Sequence, residues 1–417
     1  MLADLDARGL VHDHTDRDAL AGALDAGRVS LYCGFDPTAS SLHVGNLQQI
    51  LLLRRFQEAG HRPIALAGGA TGMIGDPGGR TSERQFLELD VLDANLAAIK
   101  VQLQRFLDFE AGPTRARLVD NRTWTESMGV LEFLRDVGKY MTVNAMLAKE
   151  SVRTRIERED GISFTEFSYM LLQANDYLVL REQEDCTLQV AGSDQWGNIC
   201  AGVDLIRRRR GEAVHGLTSP LLVRADGQKF GKSVDGALWL DSAQTSPYQL
   251  FQYFMQVDDA DVEPMLLRLT MLTPQESLEV ASAHLAAPER RDGQRRLARE
   301  ITSIVHGAES VGAVEEATEL LFGGDPTKAG PSALDLLVAE VPSSVVSGDD
   351  LADALGLFVA TGLAKSKGEL RRNRGGYYVN GRPLGDRDTL GDDDVLHGRY
   401  LLLRRGRTSH HIVRISG

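Results

Sequence analysis

The apolar positions of this chain fall into two regimes. In the first half, short continuous apolar runs alternate with longer stretches of helical period. Residues 29–33 (VSLYC) read as a buried strand ended by Gly34, and a turn-rich loop leads from it into an apolar-periodic helix over about 44–59. Residues 63–69 (PIALAGG) read as the next strand, running into glycines, and 188–192 (LQVAG) as another. Strands alternating with helices predict an α/β fold built on a doubly wound, Rossmann-like parallel sheet. Ligands of such sheets bind at the carboxyl ends of the strands, so chemistry is expected in the loops after Cys33, Gly69 and Gly192.

Beyond about residue 240 the pattern turns helical. Ser246-Pro247 suits an N-cap followed by proline in the first turn. Thr273 to Glu276 (TPQE) has capping-box spacing, and 288–306 reads as one arginine-rich helix. Glycines and prolines over 323–331 punctuate a linker. From Leu351 a small α+β module follows, with a basic helix around 365–374 and a strand, YYVNG, that ends in the turn signal Asn380-Gly381. Two strand-like runs, RYLLLRR and HHIVRI, close it. The expected organisation is a doubly wound domain over 1–240, an α-helical domain over 241–325, a linker over 326–350 and the small module over 351–417.

Composition narrows the class. A chain of 417 residues, 42% hydrophobic and 25% charged, has the proportions of an ordinary multidomain globular protein. No apolar run nears the roughly 20 residues of a membrane span. The N-terminus, MLADLDARGL, lacks the basic and apolar regions of a secretory signal. Cys33, Cys186 and Cys200 are far apart, without a C-x-x-C pair, which argues against a protein-bound zinc or a disulfide scaffold and for a reducing cytoplasm. A net charge of −13 argues against a nucleic-acid partner for the chain taken whole. The charge is uneven, however. The last 67 residues hold 12 Lys and Arg against 7 Asp and Glu, a net of +5, which leaves −18 on the body. A basic tail on an acidic body suits an anionic partner, although a solvated tail would look the same.

Two segments carry candidate chemistry. The loop GFDPTASSLHVGN, Gly34 to Asn46, leaves a strand and enters a helix, whose free N–H groups and positive dipole end suit phosphates. Thr38 and His43 add side-chain donors, and Gly45 leaves room for a base or ribose. Alone, this also describes a polar strand-to-helix turn with a capping histidine. The second segment, DGQKFGKS ending at Ser233, sets Lys229 and Lys232 three apart around a glycine, a cationic loop able to close over a polyphosphate. Between the two segments, Tyr169, Gln173 and Asp176 lie at i, i+4 and i+7, one polar stripe on an otherwise apolar helix. Buried polar groups need partners, supplied by the protein's own network or by a ligand.

In this order and about 185 residues apart, HVGN and KFGKS resemble the HIGH and KMSKS signatures of class I aminoacyl-tRNA synthetases. YCGFDPTASSLHVGNL, GGATGMIGDP, GISFTEFSYMLLQANDY and VAGSDQWGN resemble the bacterial tyrosyl-tRNA synthetases in order and spacing. The last module resembles their S4-type RNA-binding domain, so the likeness spans almost the whole chain. It implies tyrosine activation by ATP with Mg²⁺, transfer to tRNA(Tyr), and a homodimer. It places Tyr32 and Asp176 at the tyrosine hydroxyl, and Tyr169, Gln173 and Asp76 at the α-ammonium. Gln195 falls near the carboxylate and the α-phosphate. The ATP set comprises Gly34, Asp36, His43, Gly45, Asn46, Gly192, Asp194, Lys229, Lys232 and Ser233, with Thr38, His43, Lys229 and Lys232 on the reacting phosphates. Arg371, Arg372 and Arg374 become candidates for tRNA phosphates. Two positions depart from the pattern. Asn46 stands where the last His of HIGH is usual and can still donate to an ATP ribose, and Phe230-Gly231 replaces the middle of KMSKS while both lysines remain. A tryptophan-specific relative would share the fold and signatures, but Asp176 with Tyr32 fits a phenol.

Overall fold

The computed structural model describes residues 1–78, 87–110, 112–157, 161–223, 230, 232–233 and 236–416, with the backbone alone at 150, 151, 232, 233 and 236. Two compact units emerge: Met1–Thr245 with Met255–Glu300, and Ser246–Phe254 with Ile301–Gly417.

The first unit is built on five parallel strands: β1 (Ser30–Phe35), β2 (Arg62–Ala67), β3 (Arg117–Asp120), β4 (Cys186–Gly192) and β5 (His215–Ser219), in the order β3-β2-β1-β4-β5. Winding reverses at β1, which pairs with β2 on one side and β4 on the other. Such a switch point splays the connections apart and leaves a crevice at the strand ends. β1 runs past Gly34, because Gly34 and Phe35 continue the ladder opposite Leu66 and Ala67. A glycine inside a paired strand does not end it.

Three helices position the crevice. Helix α1 (Val44–Glu58) follows β1 with His43 as its N-cap and buries Leu47, Ile50, Leu51, Leu53 and Phe56 completely. Helix α2 (Phe164–Glu184) starts where the Ser163 hydroxyl accepts the Glu166 N–H at 3.2 Å, and it ends at Asp185 in the left-handed region. A buried ion pair, Arg155 to Glu166 at 2.9 Å, ties down its first turn. Helix α3 (Trp196–Arg210) packs against α2 so closely that a Cβ on Gly202 would stand 2.9 Å from the Tyr177 ring.

The helical stretch 241–325 departs from the expected single domain. Residues 255–300 cluster with the sheet. Arg8 donates to the Leu267 carbonyl at 3.0 Å and Arg55 to the Thr270 carbonyl, both at the C-terminus of helix Asp259–Leu269, where cations meet the negative dipole end. The capping box at Thr273 is present: the Thr273 N–H donates to Glu276 Oε2 at 2.8 Å, and the Glu276 N–H donates to Thr273 Oγ1 at 3.2 Å. Ser246 caps Pro247–Met255. Residues 288–306 are not one helix. A 3₁₀ turn, Pro288–Arg290, is followed by Arg291 at φ +55°, and only then by Asp292–His306.

After a short antiparallel pair, β6 (Lys232–Ser233) and β7 (Gly236–Ala237), the remaining described strands lie in the second unit: β8 (Ser343–Ser347), β9 (Tyr377–Val379), β10 (Arg382–Pro383), β11 (Tyr400–Arg405) and β12 (Ser409–Ser416). Their order is β10-β9-β11-β12-β8. Asn380 (φ +47°) and Gly381 (φ +77°) turn β9 into β10 as the Asn-Gly signal predicts. The expected linker 326–350 is structured instead. Its prolines open a 3₁₀ turn (Pro326–Lys328) and a helix (Pro331–Glu340), positions where a missing N–H costs nothing, and β8 adds a parallel strand to β12. The helix contributes Leu334 and Leu337 to a core shared with Leu320, Tyr400, Leu402 and Ile412.

Candidate active site

A cavity of about 370 Å³ opens at the carboxyl ends of β1 and β4. Tyr32, Gly34, Asp36, Thr38, His43, Gly45, Asn46, Asp76, Tyr169, Gln173, Asp176, Gly192, Asp194 and Gln195 all line it. Residues as far apart in the chain as Tyr32 and Gln195 are thus brought together. Lys229 lies outside the described residues, and Lys232 and Ser233 are described by backbone alone.

One part of the cavity is organised around Asp176, which is 2% exposed. Its carboxylate accepts from Asn121 Nδ2 at 3.0 Å and from Trp124 Nε1 at 2.8 Å. Asn121 also donates to Thr71 Oγ1 at 3.0 Å, and its Oδ1 accepts the Ala70 N–H at 2.7 Å. Thr71 donates onward to Asp36 Oδ1 at 2.7 Å, and the Tyr169 hydroxyl donates to Asp36 Oδ2 at 2.8 Å. One network therefore links Trp124 to Tyr169. Burial raises the Asp176 carboxyl to about 7 despite the two hydrogen bonds that favour its anion. Burial, and then the nearby Asp176 charge, push the Tyr32 phenol well above its ordinary value. The Tyr32 hydroxyl and Gln189 Oε1 belong to residues lining the same cavity and are buried without a hydrogen-bond partner among the described residues, which marks polar space that a ligand can satisfy.

A second polar cluster gathers at Asp76, which is 7% exposed. Gln195 Nε2 donates to Asp76 Oδ2 at 2.5 Å and to Asp194 Oδ2 at 3.1 Å. Gln195 Oε1 accepts from Asn198 Nδ2 at 2.8 Å. Asn121, Trp124, Thr71 and Asn198 were not singled out from the sequence. Asn121 and Trp124 sit at one short helix without a period or motif to mark them, whereas Thr71 and Asn198 lie inside the runs GGATGMIGDP and VAGSDQWGN but were given no role there.

The third part joins the two distant signature segments. The Val44 N–H donates to the Leu238 carbonyl at 2.9 Å and the Leu240 N–H to the Leu42 carbonyl at 2.8 Å, so that His43 bridges to Trp239. The HVGN turn is thereby paired with the chain just beyond KFGKS. Phe230, within that motif, is buried, and its N–H donates to the Leu222 carbonyl at 3.1 Å. Asn46 Oδ1 accepts the His43 N–H at 3.0 Å, which closes the first turn of α1 and leaves the amide nitrogen as the donor. Gly45 accommodates the His43 ring, since a Cβ there would lie 2.7 Å from Cε1. Its missing side chain therefore serves the histidine as well as any ligand. Gln49 donates to Ser219 Oγ at 2.7 Å while its Oε1 is buried without a partner among the described residues, another lining residue the sequence did not mark. Burial lifts the Cys33 thiol to about 12.

In the second unit Arg371 and Arg372 are exposed. Arg374 is engaged internally, donating to the Gly385 carbonyl at 2.9 Å and to Asp388 Oδ1 at 2.5 Å, which weakens it as a phosphate contact. Among the described residues no group of three or more His, Cys, Asp or Glu could hold a metal ion, and no helix is long and apolar enough to cross a membrane.

Comparison with known proteins agrees with this geometry. Residues 24–323 match the family model of tRNA synthetases class I (W and Y). A tyrosine–tRNA ligase of Opitutus terrae is 51% identical over 100% of this chain and 99% of its own length. One from Bacillus caldotenax is 49% identical over 99% of each. Among solved structures, the C-terminally truncated mitochondrial tyrosyl-tRNA synthetase of Aspergillus nidulans aligns with a TM-score of 0.69 at 33% identity, covering 76% of this chain and 93% of that one.

The raised Asp176 carboxyl yields a pH prediction. The folded protein keeps that proton up to about pH 7, whereas an unfolded chain releases it near pH ~4. Between those values the folded state binds the extra proton, so this group's contribution to stability falls as pH rises. Asp176→Asn removes the titration. From pH 5 to pH 8 the stability difference should therefore shift by about 3 kcal/mol in the variant's favour, as read from urea unfolding of the two proteins. A difference that stays constant across that range would mean that Asp176 titrates like an exposed carboxylate.

Proposed function

The chain belongs to the class I tRNA synthetases of the tryptophan and tyrosine type and ligates tyrosine to tRNA, and we propose how its residues divide that work. The observation that carries the assignment is the buried Asp176 carboxylate, sharing its cavity with the partnerless Tyr32 hydroxyl. A phenol hydroxyl satisfies both: it donates to Asp176 and accepts from Tyr32. Phenylalanine would leave the Tyr32 hydroxyl desolvated and unpaired, at a cost of roughly 1–3 kcal/mol, and would leave Asp176 with only the donors of Asn121 and Trp124. Asp76, Gln173 and Tyr169 take the α-ammonium. Tyr169 can accept from it because its own proton is committed to Asp36. Asp36 therefore acts on the amino acid by positioning Tyr169, in addition to the ATP side first expected for it. Gln195 faces the carboxylate and the α-phosphate.

ATP enters as its Mg²⁺ complex, the metal held by phosphate oxygens. The tyrosine carboxylate attacks the α-phosphorus in line, and pyrophosphate leaves. The nucleophile is already an anion, so no general base is needed, and catalysis consists of positioning and charge stabilisation. Thr38 and His43 donate to the departing phosphates from the N-terminal end of α1. Lys229 and Lys232 close over the same charge in the transition state, with Ser233 beside them. Gly34, Gly45, Asn46 and Gly192 flank the nucleoside, and Asp194 accepts from its ribose. In the second step the terminal ribose hydroxyl of tRNA attacks the tyrosyl carbonyl, and AMP leaves.

The helical region over 241–325 and the S4-like module over 351–417 serve the anticodon side of tRNA, with the exposed Arg371 and Arg372 as phosphate contacts. A second copy of the chain accounts for exposed apolar side chains such as Val130 (75% exposed), Leu131 (83%) and Phe164 (76%). Sedimentation at twice the 45.6 kDa chain mass would support this homodimer, and a monomer would refute it.

Pyrophosphate exchange into ATP tests the reading. It should depend on tyrosine; exchange with tryptophan instead, or with no amino acid tried, overturns the assignment. In the same assay Lys232→Ala should slow the maximal rate by about 100-fold or more, as loss of transition-state charge stabilisation does, and leave tyrosine affinity within about twofold. For tRNA, charge reversal is a cleaner probe than truncation, because removing 351–417 would strip Tyr400, Leu402 and Ile412 from a shared core. Arg371→Glu with Arg372→Glu should raise the KM for tRNA several-fold, reduce its salt dependence and leave exchange intact. Unchanged charging would remove these arginines from the tRNA surface.

A further inference from the structure

Behind Asp76 and Gln195 lies a lysine that the steps above do not use. Lys149 immediately precedes the helix Glu150–Ile156, and its side chain is 6% exposed. Its Nζ donates to Asn198 Oδ1 at 2.6 Å and stands 3.8 Å from Asp76 Oδ1. Asn198 is fully buried and donates from Nδ2 to Gln195 Oε1 at 2.8 Å. Gln195 Nε2 then donates to Asp76 Oδ2 at 2.5 Å, so four side chains close a ring. Gly197 makes room for it, since a Cβ there would lie 3.0 Å from Lys149 Cγ.

The ring has a direction, and Lys149 sets it. An amide side chain can be turned end for end with almost no change of shape, so its partners decide which end points where. An ammonium group only donates. Asn198 must therefore offer its oxygen to Lys149 and its nitrogen to Gln195. Gln195 must answer with its oxygen, which leaves its NH₂ toward Asp76 and Asp194. Reversed, the Gln195 oxygen would face two carboxylates. Burial pulls the Lys149 ammonium below its ordinary value, and the charges of Asp76 and Asp194 pull it back up. The cation is thus retained through the same carboxylates it helps to order.

We propose that Lys149 is a positioning residue for tyrosine activation: through Asn198 it fixes the amide orientation of Gln195, and directly it orients Asp76, where the amino acid's ammonium and carboxylate groups are gripped. This rests on the tyrosine reading given above. Lys149 touches no reacting atom and acts only through those three side chains.

Lys149→Met keeps the length and burial of the side chain and removes its charge and donors. In pyrophosphate exchange its KM for tyrosine should rise at least about tenfold, while the KM for ATP stays within about twofold. A merely structural role would move both together. Asn198→Asp is the second variant. It still accepts from Lys149 but cannot donate to Gln195, whose oxygen then faces a carboxylate whichever way the amide is turned, so its hold on Asp76 is disturbed. It should reproduce the selective loss of tyrosine affinity although it changes a single atom. Parental tyrosine KM in either folded variant, or an equal rise in both KM values, overturns the proposal. If Lys149→Met fails to fold, Asn198→Asp decides alone. Failure of the tyrosine reading itself would be visible separately, as an absence of tyrosine-dependent exchange in the parent protein.

Discussion

A carboxylate held in a nearly dry cavity is the constraint on which the rest of this site depends. Asp176 is 2% exposed and would be costly to keep unless its oxygens were satisfied. Asn121 and Trp124 satisfy them from one side, and through Asn121 the same network reaches Thr71, Asp36 and Tyr169. Such networks are rigid when complete, because every member fixes the donor or acceptor sense of the next. The remaining demand falls on the cavity, where the Tyr32 hydroxyl is still unpaired. Selectivity for a hydroxylated ring follows from that unmet demand, since the penalty for leaving a buried polar group unpaired exceeds the gain from pairing it.

The fold supplies the cavity by topology and fills it by sequence-distant pairing. Reversal of winding at β1 opens the crevice between β1 and β4. The pairing of Leu42 and Val44 with Leu240 and Leu238 then brings the chain that follows KFGKS against the HVGN turn. The first of these is a property of doubly wound sheets in general. The second is particular, and it explains how two motifs about 185 residues apart serve one nucleotide site.

Much of this was legible in the residues. The strand runs at 29–33, 63–69 and 188–192 mark three of the five strands, and the i, i+4, i+7 stripe of Tyr169, Gln173 and Asp176 does lie along one face lining the cavity. Capping chemistry at Thr273 and the Asn380-Gly381 turn are local, and local chemistry is readable. What was missed is non-local or aperiodic. Asn121, Trp124 and Lys149 matter only through partners tens of residues away, and Asn198, although it closes the run VAGSDQWGN, shows its purpose only through Lys149, 49 residues away. The supposed linker over 326–350 misled because proline and glycine punctuate helix starts as readily as they mark loops. The left-handed turn at Arg291 interrupts a stretch whose composition is helical throughout.

Unmet demand for hydrogen bonds in a buried cavity, rather than the shape of the pocket, chooses tyrosine. The most direct measurement is the ratio of kcat/KM for tyrosine to that for phenylalanine in pyrophosphate exchange by the unmodified protein. Tyrosyl-tRNA synthetases are themselves the known case of such discrimination, at about 10⁵ without editing; that figure belongs to the family and is not obtained from the present geometry. A ratio of that order is the predicted result. A ratio near 10² or below, of the size a pocket achieves when it senses only fit, would contradict the role given to Asp176 and Tyr32.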